Sequence, residues 1–252
     1  MFGMPSLIEL NTVSEHAALC RQLGLSFVEL NTNFPNQQLH LLDPAQLKEI
    51  AADTGIFYTI HLNDDLFVAD FNPHVSGGYC SSVLEAIAFA CEIGAPILNM
   101  HLCNGGKYTM PDRKVFFYEA FESEYLEKIK AFRDMCTMAV GAQALHICIE
   151  NTGGYLPFQK KALEILLESP VFGLTYDIGH NHCSGHVDED YILTHTDRLY
   201  HMHLHDVMGN CDHLPFGEGE MNLSPYLALA KDRTAVLEVK TIAGLMKTVS
   251  KI

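Results

Sequence analysis

No stretch of this chain is rich enough in serine, glycine or proline to read as a linker, and no abrupt change of composition divides it. A single domain over residues 1–252 is therefore the simplest organisation. No apolar run approaches the roughly 20 residues that a membrane-spanning helix requires. The opening MFGMPSLIEL has neither a basic leader nor a long apolar core, so no secretory signal is expected there. These absences lead to the expectation of a soluble, cytoplasmic protein with no membrane partner. Closely paired cysteines are missing too, since none of the 8 forms a CxxC motif. Most sit in apolar segments such as HICIE and AFACEIG, where reduced thiols act as small hydrophobes. Basic residues are scarce, with 16 Lys and Arg against 31 Asp and Glu, a formal charge of −15. A protein that grips a polyanion carries a basic face, and here no cluster exceeds Lys160–Lys161. Nucleic acid is thus disfavoured as the main partner and a small molecule favoured. Bound cations would offset part of the negative excess.

What remains is a chain with 48% apolar residues, enough for one large core. Strand-like runs are expected at 6–10, 26–30, 56–61, 97–102, 145–150, 172–177, 198–204 and 234–239. Between them lie segments with apolar residues at helical spacing: 14–23, 44–53, 80–93, 114–140, 158–168, 188–195, 222–231 and a tail at 241–251. Ser14, Asp43-Pro44 and Ser224-Pro225 read as helix starts. Strict alternation implies a parallel sheet, and eight repeats imply an α/β fold closed as a single (β/α)8 TIM barrel. An open doubly wound sheet would show a glycine-rich turn after its first strand, and NTVSEH has none.

Chemistry-bearing residues collect at the expected C-terminal ends of these strands, the rim where such barrels build active sites. His61 ends YTIH, His101 ends LNMH, Glu150 ends ICIE, and Glu238 ends AVLE. Asp177 and His180 share DIGH, in which Gly179 is expected to let the backbone turn. HMHLHD carries His201, His203 and His205 on one strand face, with Asp206 next. Carboxylates and imidazoles converging on one rim suggest a divalent-metal site. Buried carboxylates cost several kcal/mol unless paired or bound to a cation. No Lys or Arg is expected close enough to pair with Glu150 or Glu238, although a salt bridge or helix cap is the bland alternative for each. Asp177 could equally cap the next helix, and His61 and His101 could be buried histidines satisfied by their neighbours. His180 could bind metal or substrate. In CDHLPFGEG, Cys211, Asp212 and His213 could be ligands, or His213 could touch a substrate phosphate or hydroxyl. Lys107 and Arg113 are candidate phosphate anchors from charge alone, and His182 and His186 could line the pocket.

The motifs IHLN (60–63), NMHL (99–102), IENTGG (149–154), DIGH (177–180), HLHD (203–206), DHLPFGEG (212–219) and LEVK (237–240) resemble those of the xylose-isomerase-like TIM barrel superfamily. That superfamily includes the AP endonuclease family 2, with endonuclease IV, and many sugar isomerases and epimerases. The resemblance to the epimerase branch implies one divalent ion held by Glu150, Asp177, His203 and Glu238. Glu150 and Glu238 would double as the catalytic acid and base, and His180 would contact substrate. His201 would lie one layer deeper in the barrel, with His205 at or past the strand end. The resemblance to the endonuclease IV branch implies further zinc ligands at His61, His101, His180 and His213. An aspartate of that pattern is replaced by Cys211, with Asp212 one place out of register.

Two functions follow. The first is a divalent-metal-dependent sugar or sugar-phosphate isomerase or epimerase, in which Glu150 and Glu238 transfer the proton. The second is a multinuclear zinc phosphoesterase acting on a small phosphodiester or abasic DNA. A non-catalytic barrel with a structural metal is the third and weakest, because structural zinc draws on closed cysteine-rich sites. Acidic composition favours the first. Its cofactor would be zinc, manganese or cobalt, with one ion expected and two or three for the alternative. Oligomeric state is left open, a homo-oligomer included.

Overall fold

The computed structural model describes all 252 residues. Eight parallel strands run Phe2–Pro5 (β1), Phe27–Asn31 (β2), Phe57–His61 (β3), Ile97–His101 (β4), His146–Glu150 (β5), Phe172–Asp177 (β6), Leu199–Leu204 (β7) and Thr234–Leu237 (β8). They close in sequential order, with β1 paired to both β2 and β8. The expected (β/α)8 barrel is therefore the fold. Helices Val13–Gln22, Pro44–Thr54, Pro73–Ile93, Glu122–Val140, Pro157–Leu167, Glu189–Thr194, Ser224–Leu229 and Ile242–Val249 follow the strands in turn.

The first strand is displaced from its expected position. SLIEL at 6–10 is not a strand; the preceding FGMP is. Leu7 is buried and its N–H donates to His16 Nε2 at 2.9 Å, while Ile8 is 82% exposed and the turn closes from Leu10 N–H to Leu7 O. A side chain at Gly3 would collide with the Phe27 ring of the adjacent strand. That lets a glycine-containing segment of low strand propensity pair where SLIEL could not.

Helix starts also move. Thr12, not Ser14, caps the first helix, in a capping box with Glu15. The third begins at Pro73 behind an Asn72 cap rather than at 80. Gly77 and Gly78, poor helix formers, conceal its first two turns. A short helix, Ile178–Cys183, and two hairpins, Lys107–Thr109 with Lys114–Phe116 and Asp206–Met208 with Cys211–Leu214, decorate the C-terminal rim; Lys114–Phe116 takes the first residues of the helix expected at 114–140, and the long helix there begins at Glu122.

Gly179 corrects the reading of DIGH. It lies inside the short helix, without a positive φ. Its missing side chain instead leaves room for His205, whose Cε1 would stand 1.9 Å from a Cβ there. Gly77 faces open space in a helix. Gly77→Ala is therefore expected to stabilise the fold by about 0.5–1 kcal/mol. Gly179→Ala is expected to destabilise it by about 1–3 kcal/mol or more through overpacking. Urea denaturation of both variants checks the pair, and equal effects would contradict the packing explanation.

Candidate metal centre

Strand register sets the site. His101 on β4 pairs with Glu150 on β5, and Asp177 on β6 pairs with His203 on β7. Glu238 directly follows β8. These strands deliver their side chains to one end of the barrel, where Glu150, Asp177, His203 and Glu238 are all buried. His203 Nδ1 stands 3.1 Å from Glu238 Oε2, 3.5 Å from Glu150 Oε2 and 3.8 Å from Asp177 Oδ2. Ligands bound at about 2.1 Å around one cation sit roughly 3.0–3.4 Å apart, close to the spacing seen. Neither His203 Nδ1 nor Glu238 Oε2 has a hydrogen-bond partner, and His101 Nε2 nearby has none. Buried polar atoms left without partners are uncommon. Three of them around one space fit a divalent cation.

Hydrogen bonds from neighbouring residues fix these groups. Asn99 Nδ2 donates to Glu150 Oε2 at 2.5 Å. Asn151 exchanges two hydrogen bonds with the Asp177 backbone, both 2.8 Å. Asp177 Oδ1 accepts the His180 N–H at 2.7 Å, so the capping alternative for Asp177 holds for that oxygen, while Oδ2 faces His203. Beneath them, Glu29 is fully enclosed and was not anticipated as a site residue. Its Oε1 lies 3.0 Å from His203 Nε2, and its Oε2 meets His201 Nε2 at 3.0 Å and the Thr59 hydroxyl at 3.0 Å. SFVEL carries a weaker form of the signal in the other strands, a carboxylate after an apolar pair but with Leu30 and Asn31 still in the strand beyond it. The Glu29 carboxylate favours a proton on His203 Nε2 and leaves Nδ1 facing the three acids. His201 lies one layer deeper, as the resemblance implied.

The expectation that no cation pairs with Glu238 is corrected. Lys240 Nζ donates to Glu238 Oε1 at 2.6 Å. The strand ends at Leu237, and the Val239 N–H turns back onto the Leu237 carbonyl at 2.9 Å. That bend brings Lys240 over Glu238, whose Oε2 remains turned to His203.

Further donors stand around this group. His61 Nε2 and His101 Nε2 are each 3.4 Å from Glu150 Oε2. The Leu62 carbonyl holds the His61 Nδ1 proton at 2.7 Å, so Nε2 is the atom that titrates. His180 Nε2 lies 3.9 Å from Asp212 Oδ2, and Asp212 Oδ1 lies 2.9 Å from His213 Nδ1. His213 Nε2 reaches to 3.6 Å from Glu238 Oε2. Neighbours on a strand alternate in direction. Asp212 and His213 nevertheless both face the site because His213 has a φ of 56°. Cys211 stays exposed. Asp212 rather than Cys211 is therefore the residue that faces His180 and His213. Asp206 is structural, accepting the N–H groups of Gly217, Gly219 and Met221 at 2.9–3.1 Å. His182 and His186 stand apart, facing Glu220 and Glu189.

Charge at this mouth is finely balanced. Burial opposes ionisation of Glu150 and Glu238, but His203 and, respectively, His101 and Lys240 hold both carboxyls well below their ordinary range. Burial likewise opposes charging the imidazoles. The carboxylates outweigh it, raising His61 to about 9 through Glu150 and His180 to about 10 through Asp177 and Glu150. Beside His101 opens a cavity of about 360 Å³, lined by Asp64, Asp65, Asn104, Lys107 and Thr152. The Lys107 ammonium lies over the Phe116 ring at 4.5 Å, and Arg113 pairs with Asp112 on the hairpin turn. No helix of the structure is long and apolar enough to cross a membrane.

Solved structures share this architecture. A D-tagatose 3-epimerase-like protein superposes with a TM-score of 0.81 at 21% identity, covering 99% of this chain and 94% of its own. The IolI protein with a bound zinc atom gives 0.74 at 14% identity, over 99% and 95%. D-psicose 3-epimerase from Clostridium cellulolyticum H10, solved with D-tagatose, gives 0.72 at 12%, over 99% and 91%. At these identities the likeness carries the fold alone. No curated protein matches the chain. The xylose isomerase-like TIM barrel family does match, over residues 17–243, and the chain belongs to that family.

Proposed function

We propose that this protein is a divalent-metal-dependent isomerase or epimerase of an uncharged sugar. The observation that carries the reading is the convergence of Glu150, Asp177 and Glu238 on the unpartnered Nδ1 of His203. Glu150, Asp177, His203 and Glu238 would hold one cation. When bound, it would act as a Lewis acid toward a substrate carbonyl and neighbouring hydroxyl and stabilise the developing enediolate. Glu150 and Glu238, from strands three apart in barrel order, would take and return the proton on the substrate carbon. Asn99 orients the first carboxylate and Lys240 the second. His180 and His213, at the mouth, would position substrate hydroxyls. The structural likeness to D-tagatose 3-epimerase-like and D-psicose 3-epimerase proteins supports a ketose.

Pocket charge bears on phosphorylation. A phosphate carries about −1.5 to −2 charges and needs cationic donors or a helix N-terminus. The cavity beside His101 offers two aspartates and one lysine already seated on an aromatic ring. Asp64 and Asp65 instead suit hydroxyl donors. The free ketose is expected to be turned over, and its phosphate ester to show a much lower kcat/KM.

One feature favours the phosphoesterase as a second reading. His61, His101 and Glu150 offer ligand atoms within 4.8 Å of one another, and so do His180, Asp212 and His213. Metal content of protein purified without chelator separates the two. One ion per chain supports proton transfer, and two or three zinc ions support hydrolysis.

Glu150→Gln and Glu238→Gln are each expected to lower kcat by roughly 10²–10⁴. The double variant His61→Ala, His101→Ala should mainly raise KM in an epimerase, and its total inactivation would count against the proposal.

The raised imidazoles give a pH signature. His61 and His180 stay protonated through pH 7, being raised to about 9 and 10. His203, the imidazole among the four ligands, is likewise held well above its ordinary range: burial opposes its charge, but Glu150 and Glu238 outweigh it. A cation needs its unprotonated form, so zinc binding to metal-free protein at pH 7 is expected to release protons, with affinity rising as pH increases. Calorimetry in buffers of different ionisation enthalpy measures this, and no proton release at pH 7 would contradict it.

A further inference from the structure

We infer that His205 is a positioning residue that ties Asp177 to the 206–214 hairpin, one imidazole serving both through opposite nitrogens. His205 follows β7 directly and is fully buried. Its Nδ1 accepts the backbone N–H of His213 at 2.8 Å. A ring nitrogen that accepts carries no proton, so the proton of the neutral ring is on Nε2. Nε2 lies 3.1 and 3.2 Å from the two oxygens of Asp177 and donates to that carboxylate. Both nitrogens are committed. Although His205, His213 and Glu238 offer ligand atoms within 4.8 Å of one another, His205 has no lone pair left for a cation.

The hairpin end of this link needs support. His213 holds a left-handed backbone at φ 56°, unusual for a residue with a side chain. The His213 ring lies flat on His205, with centroids 4.3 Å apart and planes 7° from parallel. Gly179 supplies the space that the His205 ring fills. One side chain therefore orients the Asp177 carboxylate and keeps Asp212 and His213 over the same mouth. The inference rests on the reading of Asp177 as a cation ligand.

Two substitutions separate the two bonds. His205→Asn keeps an acceptor near the Nδ1 position and removes the donor to Asp177. His205→Gln reaches the Nε2 position with an amide N–H and loses the acceptor for His213. Cobalt(II) serves as probe, with its affinity read by chelator competition and its ligand field by absorption. His205→Asn is expected to weaken cobalt binding by about 10–100-fold, with absorption bands in place and hydrogen-exchange protection of 206–214 retained. His205→Gln is expected to bind cobalt nearly as tightly as the native chain while 206–214 exchanges faster. Native affinity in the Asn variant would overturn the inference, and so would shifted cobalt bands in either variant, which would make His205 a ligand. A native chain that binds no cobalt would instead overturn the cation reading and this inference with it. Nitrogen NMR of His205 in the zinc-loaded native protein needs no variant. An unprotonated Nδ1 with a protonated Nε2 is expected, and a protonated Nδ1 or a zinc-bound Nε2 would overturn the link.

Discussion

Four carboxylates, those of Glu29, Glu150, Asp177 and Glu238, are buried around a single imidazole, His203. Each isolated charge of this kind costs several kcal/mol to take out of water, and four of one sign repel each other as well. The rest of the barrel mouth answers that cost. Lys240 bends back over Glu238, Asn99 donates to Glu150, and His205 donates to Asp177. His61 and His101 crowd Glu150 from β3 and β4. The imidazoles charge to balance the acids, which is why burial fails to keep His61 and His180 neutral. Even so, polar atoms at the centre stay unpartnered. A divalent cation would resolve both deficits together, neutralising charge and supplying the missing partner.

The barrel makes this arrangement reproducible. Parallel register places His101 beside Glu150 and Asp177 beside His203, so the acids and imidazoles meet through backbone pairing rather than through flexible loops. Beneath them the layer of Glu29, His201, Thr59 and Thr234 is closed by hydrogen bonds. This buried floor places the Glu29 carboxylate 3.0 Å from His203 Nε2, which favours one tautomer and orientation of the ring. Stability and site geometry are thus coupled. Loosening the floor would cost fold stability and ligand alignment at once.

Much of this was legible because strand ends are local. An apolar, β-branched run followed by His, Asp or Glu marks both a strand and the direction of its last side chain, and it singles out Glu150, Asp177, His203 and Glu238, which the structure brings to one end of the barrel. Glu29 carries a weaker form of that mark in SFVEL and sits one layer below the rim, a depth that no pattern along one strand can express. Lys240 was missed because its approach depends on a bend after Leu237. The facing of Asp212 is not readable along the chain, because a left-handed residue, His213, breaks the strand alternation on which register rests. SLIEL outscored FGMP as a strand, since the fit of Gly3 against Phe27 is a tertiary contact. Gly179 was read as a turn residue, when its neighbour in space, His205, is 26 positions away in the chain.

The choice between proton transfer and hydrolysis comes down to one oxygen. Glu150 Oε2 is 3.4 Å from His61 Nε2, 3.4 Å from His101 Nε2 and 3.5 Å from His203 Nδ1, and it also accepts from Asn99. The inner group of Glu150, Asp177, His203 and Glu238 and the outer group of His61 and His101 therefore draw on the same lone pairs. A carboxylate shared between two cations is too weak a base to take a proton from carbon, since its charge is already spent. With only the inner group filled, a protonated His61 would neutralise Glu150 from one side while its remaining capacity serves substrate. On the proposed reading the same residues would serve either chemistry but not both in one state, and the number of bound cations would select between them. The acidic cavity beside His101, ill suited to a phosphodiester and well suited to hydroxyl groups, weighs that choice toward the singly loaded state.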